Sequence, residues 1–157
     1  MKRILVAGVG NIFLGDDGFG VEVSRRLAGR PLPDGVRVVD FGIRGLDLTY
    51  TLLDGWDAAI LVDAAPRGGR PGTLYVLEPR LDPDAPAALE PHAMDPAKVL
   101  ALVREMGGTP PLMRVVGCEP EAAGDFEVGL SPAVQAAVDP AVALVERIVA
   151  QLGAADA

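Results

Sequence analysis

The stretch that decides the fold is Gly8-Val9-Gly10-Asn11-Ile12-Phe13-Leu14-Gly15-Asp16-Asp17-Gly18-Phe19-Gly20. A short apolar run precedes it, and apolar residues at helical spacing (Phe19, Val23 and Leu27) follow it. The stretch therefore predicts a turn between a buried strand and an amphipathic helix. In an open α/β sheet, a turn at the carboxyl end of a strand is where ligands bind.

The rest of the chain predicts an α/β fold with the element order βαβαββαβα. We expect strands at residues 4–9, 36–41, 58–62, 73–77 and 112–117. The connection at 66–72 is too short for a crossover helix, so the fourth strand should run antiparallel at an edge. The pattern favours a three-layer fold. Its core is a mostly parallel, twisted five-stranded sheet with helices on both faces and one antiparallel edge strand.

The helices have sequence signals of their own. Asp95-Pro96, Ser131-Pro132 and Asp139-Pro140 each combine an N-cap residue with a proline at the first helical position. The last two pairs predict a short helix followed by a separate final helix. Leu46, Tyr50 and Leu53 mark the second helix by their spacing, and Val99, Val103 and Met106 give the buried face of the third.

Length and composition limit the classes of protein. The chain has 157 residues, half of them apolar, which predicts one domain over residues 1–153 and a frayed tail at 154–157. The net charge of −8 argues against a nucleic-acid partner, and the chain lacks an apolar run long enough to cross a membrane. A single cysteine fits a reducing compartment, so we expect a cytoplasmic protein. We also expect a monomer.

A nucleotide site is the first chemical alternative. Gly8-Val9-Gly10 begins like a dinucleotide-binding fingerprint, and Asp40 ends the second predicted strand where a ribose-binding acid would lie. However, Phe13 occupies the third glycine position, and the carboxylates of Asp16 and Asp17 would repel a pyrophosphate at the helix N-terminus.

Nucleophilic catalysis is the second alternative. The chain has no G-x-S-x-G elbow, and its two serines, Ser24 and Ser131, fall in a helix and at a cap. Cys118 and His92 could form a thiol–imidazole pair, but a lone cysteine is more often a small buried hydrophobe.

A metal site is the third alternative. Asp16 and Asp17 follow the first strand, Asp63 ends the third, and His92, the single histidine, lies on a long loop. Parallel strands present their carboxyl ends at one edge, so these groups should converge there, with Asp40 nearby. One imidazole with two carboxylates suits Zn²⁺ or Ni²⁺ and leaves positions open for water or substrate. The competing interpretation is that Asp16 is only a helix cap.

The opening turn and five further segments in chain order carry a resemblance to a known family. The glycine-rich opening turn resembles that of the hydrogenase maturation endopeptidases, which trim a C-terminal extension from the large subunit of nickel–iron hydrogenases. The supporting matches are Asp40-Phe41-Gly42-Ile43-Arg44-Gly45, Leu61-Val62-Asp63-Ala64, Pro91-His92 with Val99-Leu100-Ala101-Leu102, and the closing segments at 116–121 and 129–134.

The resemblance implies a site and a partner. By position, the family's nickel ligands fall on Asp17, Asp63 and His92, which would also be the catalytic groups, with Asp40 supporting them and Asp16 as a helix cap. The family's first acid is often Glu, and Asp17 is one methylene shorter. The metal would be nickel carried by the hydrogenase large-subunit precursor, and Zn or Cd could occupy the site in vitro.

The resemblance leaves the chemistry of cleavage open between three routes. These are a metal-polarised carbonyl, a metal-activated water, and a carboxylate general base of the aspartyl-protease kind. The alternative from another class is a non-catalytic metal- or nucleotide-binding module on the same fold.

Overall fold

Five strands and four helices alternate along the chain in this computed structural model, which describes residues 2–80, 95–121 and 128–154. The strands are β1 (Ile4–Val9), β2 (Val36–Gly42), β3 (Ala58–Ala64), β4 (Leu74–Leu77) and β5 (Leu112–Cys118). The helices are α1 (Phe19–Ala28), α2 (Gly45–Leu52), α3 (Pro96–Glu105) and α4 (Pro132–Ala154), and a short 3₁₀ turn (Gly15–Gly18) precedes α1. The predicted order of elements is confirmed.

The strands form one sheet in the order β2-β1-β3-β5-β4. The pairs β1–β2, β1–β3 and β3–β5 are parallel, whereas β4 pairs with β5 in the antiparallel direction at the sheet edge. The antiparallel edge position of β4, which the short connection before it predicts, is therefore confirmed. Since β1, β2 and β3 are parallel neighbours, the turns that follow them meet at one edge of the sheet.

The sheet is buried on both faces, which makes the fold three-layered. Ile4 and Val6 of β1 belong to a core shared with α1 and α4, whereas Leu5 and Ala7 belong to a second core shared with α2 and α3. Successive side chains of a strand point to opposite faces, so a continuous apolar run such as β1 supplies both cores.

The start of α1 lies against the sheet because residue 20 has no side chain. A Cβ on Gly20 would collide with the carbonyl oxygen of Val62 and lie 2.5 Å from that of Val9. Only glycine permits this distance between helix and strands. The close approach holds the turn between β1 and α1 over the carboxyl ends of β1 and β3.

The helix α2 is confirmed, but of the three residues whose spacing marks it in the sequence only Leu53 packs against the core, where it is partly buried. Leu48, Thr49 and Leu52 face the core, whereas Leu46 and Tyr50 are exposed. Both sets have the i, i+4 spacing of a helical stripe, so the spacing alone could not decide which one is buried. On α3 the Asp95 cap is confirmed, because its Oδ1 accepts a hydrogen bond from Ala97 N at 3.0 Å.

The predicted end of α3's buried face is wrong. Val99 and Val103 are buried, but Met106 is exposed, because it lies beyond the last helical residue at the C-cap. A C-cap residue lies outside the regular helix, so its side chain does not follow the buried stripe of Val99 and Val103.

The predicted break between two C-terminal helices is also wrong, because α4 is continuous and contains Pro140. Pro140 has no N–H for the carbonyl four residues earlier, which costs one helical hydrogen bond. The buried stripe continues from Val134 to Leu152 across the proline and keeps the helix in place. Asp139 does not cap a new helix; it forms an ion pair with Arg26 of α1.

Two further expectations concern the ends and the surface of the chain. Ala154 belongs to α4 and residues 155–157 lie outside the described residues, so the single domain and the frayed tail stay predictions. None of the helices in the described ranges has the length and apolar character needed to cross a membrane.

The close approach at Gly20 gives a stability prediction. Gly20→Ala should lower the free energy of unfolding by at least about 3 kcal/mol, because the added methyl group meets backbone oxygens that cannot rotate away. Urea unfolding followed by circular dichroism measures the change. Gly153→Ala in α4 is the matched control, since its Cβ enters open space, and it should be neutral or slightly stabilising. Equal stabilities of the two variants would contradict the packing argument.

Candidate active site

Three turns enclose a cavity of about 240 Å³ at the carboxyl edge of the sheet. They follow β1, β2 and β3, and the acidic groups in the cavity wall are Asp17 and Asp63. Two of the three predicted site residues are thus brought together. The third, His92, lies outside the described residues.

Gly10 allows the two acidic residues to approach each other. Its φ is +139°, and its N–H donates to Gly42 O at 2.9 Å, which joins the turns after β1 and β2. A Cβ at this position would collide with the carbonyl oxygen of Asp17 and lie 3.7 Å from Asp63 Oδ1. A side chain on residue 10 would therefore push Asp17 away from Asp63.

Asp17 is half-buried and is held by the backbone of its own turn. Its Oδ2 accepts a hydrogen bond from Asn11 N at 2.7 Å, and its N–H donates to Leu14 O at 3.1 Å. These bonds fix one carboxylate oxygen. The carboxyl group lines the cavity, so it can meet a ligand there.

Asp63 is the penultimate residue of β3 and has a strongly shifted pKa. Burial and, to a lesser degree, the nearby charge of Asp17 raise the pKa of its carboxyl, and the hydrogen bond from Ala64 N to Oδ1 lowers it; together they bring the pKa to about 8. At neutral pH, Asp63 therefore holds a proton while it faces Asp17. Two carboxyl groups on one cavity, one of them with a strongly raised pKa, are typical of functional sites.

The donor set is suited to a divalent cation. Two carboxylates face one cavity, and a cation there would replace the proton on Asp63 and remove the repulsion between the two groups. Within the described ranges, no group of three His, Cys, Asp or Glu side chains is arranged to hold a metal. Asp17 and Asp63 are thus an incomplete set, to which a histidine or a ligand-borne group would have to be added.

The prediction that Asp16 caps α1 is wrong. Asp16 is only 6% exposed and lies in the 3₁₀ turn, where it makes no cap hydrogen bond. Its Oδ2 accepts from Glu121 N at 2.9 Å and from Ser131 Oγ at 2.8 Å, and its Oδ1 accepts from Ser131 N at 2.7 Å. It joins the opening turn to two distant segments, and no local sequence pattern carries this information.

Asp40 does not line the cavity that contains Asp17 and Asp63. It lies in the wall of a second cavity next to it. Its Oδ1 accepts from Gly42 N at 2.9 Å, and its Oδ2 lies 3.9 Å from Arg25 Nε. Asp40 thus supports the site indirectly, by holding the backbone turn at Gly42 that lines both cavities.

Cys118 is buried in the core between the sheet and α4, as the default interpretation of the sequence expected. Burial raises the pKa of its thiol to about 11, with smaller contributions from the charges of Asp16 and Glu119. A thiol that stays protonated is a poor nucleophile. The thiol–imidazole alternative is therefore not favoured.

Glu119 has a structural role that sequence reasoning missed. It is buried, and its Oε1 accepts hydrogen bonds from Arg67 N, Gly69 N and Tyr75 Oη, all between 2.8 and 2.9 Å. These bonds fix the loop between β3 and β4 at the same edge of the sheet as the cavity. The acid-rich segment 118–121 could have indicated a buried acceptor, but its partners lie about fifty residues away in the chain.

The role of Asp16 can be tested by an isosteric change. Asp16→Asn should lower the free energy of unfolding by roughly 1–3 kcal/mol, because the new amide N–H group faces N–H donors. At a helix cap, Asn and Asp are nearly equivalent, so a capping role predicts no change. Thermal and urea unfolding distinguish the two roles. Ser131→Ala is a milder control, expected to cost about 1 kcal/mol, because it removes one of the three hydrogen bonds.

Asp63 should make stability depend on pH. Its pKa is raised in the folded state, so its favourable contribution is complete below the ordinary carboxyl pKa and is lost as pH rises through about 8. Asp63→Asn removes this dependence. In buffer with a chelator, the melting temperature of the variant should exceed that of the parent by about 3 °C or more at pH 9, and the difference should shrink toward pH 5. A difference that is constant with pH would contradict the raised pKa.

Three comparisons with known proteins agree. A family model described as hydrogenase maturation protease (HycI) matches residues 21–148. The Hydrogenase 2 maturation protease of Escherichia coli K12 is 36% identical over 156 residues, which cover 96% of this chain and 90% of that protein. The hydrogenase expression/formation protein HupD of Rhodobacter capsulatus is also 36% identical, over 90% of this chain and 69% of that one.

The fold agrees with a solved structure of the same kind. The hydrogenase maturating endopeptidase HybD from E. coli superimposes with a TM-score of 0.79 at 35% identity, covering 96% of this chain and 94% of that one. The match of the family model to most of the chain, and the identity to relatives over nearly its whole length, lead to one conclusion. The chain belongs to the hydrogenase maturation protease family.

Proposed function

We propose that this protein is the endopeptidase that removes the C-terminal extension of a nickel–iron hydrogenase large-subunit precursor after nickel insertion. The observation that carries the proposal is the convergence of Asp17 and Asp63 on one open cavity in a chain of this family. The cavity lies at the sheet edge where α/β proteins bind their ligands. Family membership favours this function over the non-catalytic binding module.

The acidic pair suits a substrate that carries a cation. Asp17, Asp63 and His92 would contact the nickel that the precursor carries, with oxygen and imidazole donors that such an ion accepts. A bound divalent ion supplies positive charge that polarises a carbonyl group or acidifies a water molecule. A precursor without nickel would leave the pair without a partner, so cleavage would depend on maturation of the substrate.

The two carboxyl groups are suited to different roles in proton transfer. Asp63 holds a proton at neutral pH, whereas Asp17 is fixed by Asn11 N–H at one oxygen and lines the cavity with its carboxylate. A protonated acid beside a carboxylate can donate and accept a proton in the same reaction. This arrangement supports the carboxylate general-base route as well as a route assisted by metal.

The proposal predicts loss of cleavage in three variants. Asp17→Asn, Asp63→Asn and His92→Ala should each lower kcat/KM by at least about a hundredfold, because each removes a charge or donor from the reacting region. The assay incubates the protein with nickel-loaded precursor and detects loss of the C-terminal extension by mass spectrometry. Circular dichroism confirms that each variant is folded.

Asp34→Asn is the matched control, since Asp34 is an exposed acid that precedes β2 at the opposite edge of the sheet. It should cleave like the parent. If the parent leaves every nickel-loaded precursor intact, the proposed function is wrong. If the three variants cleave as well as the control, the function stands and the site assignment is wrong.

A further inference from the structure

A second cavity, of about 220 Å³, opens beside the one that contains Asp17 and Asp63. The two cavities share Gly10, Asn11 and the turn at Gly42 and Ile43 as a common wall. The two cavities are therefore direct neighbours. Whatever occupies the second cavity lies next to the acidic pair.

The rim of the second cavity is apolar and exposed. Ile12 and Phe13 from the opening turn and Ile43 from the turn after β2 line it, with Val21 of α1 also in the lining. Phe13 is 57% exposed, Ile43 55% and Ile12 36%. Large apolar side chains that are grouped around an opening, rather than scattered singly, indicate a binding surface. We call Ile12, Phe13 and Ile43 the apolar rim.

The backbone under the rim is fixed. Phe13 N donates to Asn11 Oδ1 at 2.9 Å, and Asn11 N donates to Asp17 Oδ2 at 2.7 Å. On the other side, Gly45 N donates to Ile43 O at 3.1 Å, and the guanidinium of Arg44 donates to Phe41 O and Asp40 O. Exposed apolar groups on a fixed backbone lose little conformational entropy on binding, as a recognition surface requires.

The size and polarity of the cavity indicate what it can accept. Its volume lies below the range of about 300–1,000 Å³ that is usual for sites of drug-sized ligands and cofactors, so it suits one side chain of a longer molecule. Arg25 and Asp40 lie at its polar end, where their 3.9 Å separation exceeds hydrogen-bond distance. A carbonyl group of an extended peptide can therefore reach the guanidinium without displacing a strong ion pair.

We propose that the apolar rim is a specificity subsite, which binds an apolar side chain of the precursor polypeptide close to the bond that is cleaved. This inference rests on the proposed function for the identity of the polypeptide. Asp17 and Asp63 act on the precursor polypeptide in the first cavity, and the apolar rim of the second cavity fixes the position of that polypeptide. The subsite selects for a bulky aliphatic or aromatic residue in the flanking segment and against a charged one.

The test compares Phe13→Ser, Ile43→Ser and the double variant with the parent. KM for the nickel-loaded precursor should rise about tenfold in the double variant, because apolar burial with the substrate is lost, while kcat stays within about twofold. Met106→Ser is the matched control, since Met106 is also exposed but lies at the end of α3. The affinity of each variant for the precursor is measured separately by biolayer interferometry.

A substrate scan makes the test specific. Apolar residues that flank the cleaved bond of the precursor are changed to serine one at a time. One of these changes should raise KM in the parent but have at least about threefold less effect in Phe13→Ser, because the two partners of a contact are not additive. If no position behaves in this way, the subsite is overturned even where KM rises.

The outcomes separate the two proposals. If the parent cleaves and the rim variants behave like Met106→Ser, the subsite is wrong and the proposed function stands. If the parent binds precursor without cleaving it, the proposed function is wrong. In that case, weaker binding of the precursor by the rim variants still supports the subsite, whereas unchanged binding overturns it. If the parent does not bind precursor, both proposals are overturned.

Discussion

The site depends on the approach of Asp17 to β1, at a point where residue 10 has no side chain. The carbonyl group of Asp17 occupies the space that a Cβ on Gly10 would fill, and Asp63 Oδ1 lies just beyond it. The approach is possible because Gly20 places the start of α1 against Val62 and Val9 in the same way. Two missing methyl groups thus set the distance between the turn and the sheet, and with it the position of both carboxylates.

Adjacent aspartates in the opening turn have opposite roles. The turn is a 3₁₀ helix, in which consecutive side chains point in directions about a third of a turn apart. Asp16 therefore points into the protein, where three donors satisfy it, while Asp17 lines the cavity. The first stabilises the frame around the site and the second is free to meet a ligand. The sequence Asp-Asp contains both roles but does not say which residue has which.

Much of the fold could be predicted because its signals are local. The continuous apolar run of β1, the short connection before β4 and the Asp95 cap each determine structure within a few residues. The position of Asp63 at the end of β3 was likewise predictable, since the strand pattern ends there. A parallel sheet then brings the ends of neighbouring strands together, so the pairing of Asp17 with Asp63 follows from topology.

The features that could not be predicted depend on distant partners. Leu46 and Tyr50 have the same spacing as Leu48 and Leu52, and only packing against α3 and the sheet selects the buried pair. Pro140 normally marks a helix start, but a buried stripe on both sides of it and the ion pair of Asp139 with Arg26 outweigh one lost hydrogen bond. The partners of Asp16 and Glu119 lie about 50 to 115 residues away, beyond the reach of any local pattern.

The exposure of apolar side chains around the cavities is informative rather than incidental. Ile12, Phe13 and Ile43 all lie in the turns that line the cavities, and all three are exposed. Exposed apolar groups lower solubility and contribute little to folding, so the grouping of these three around a cavity next to the acidic pair favours a role in binding. An acidic pair attracts any cation and is by itself unselective. Apolar contacts distinguish polypeptides by the shape of their side chains. An acidic pair beside an apolar rim therefore allows a protease to act only on a chain that both carries a cation and has a fitting apolar side chain.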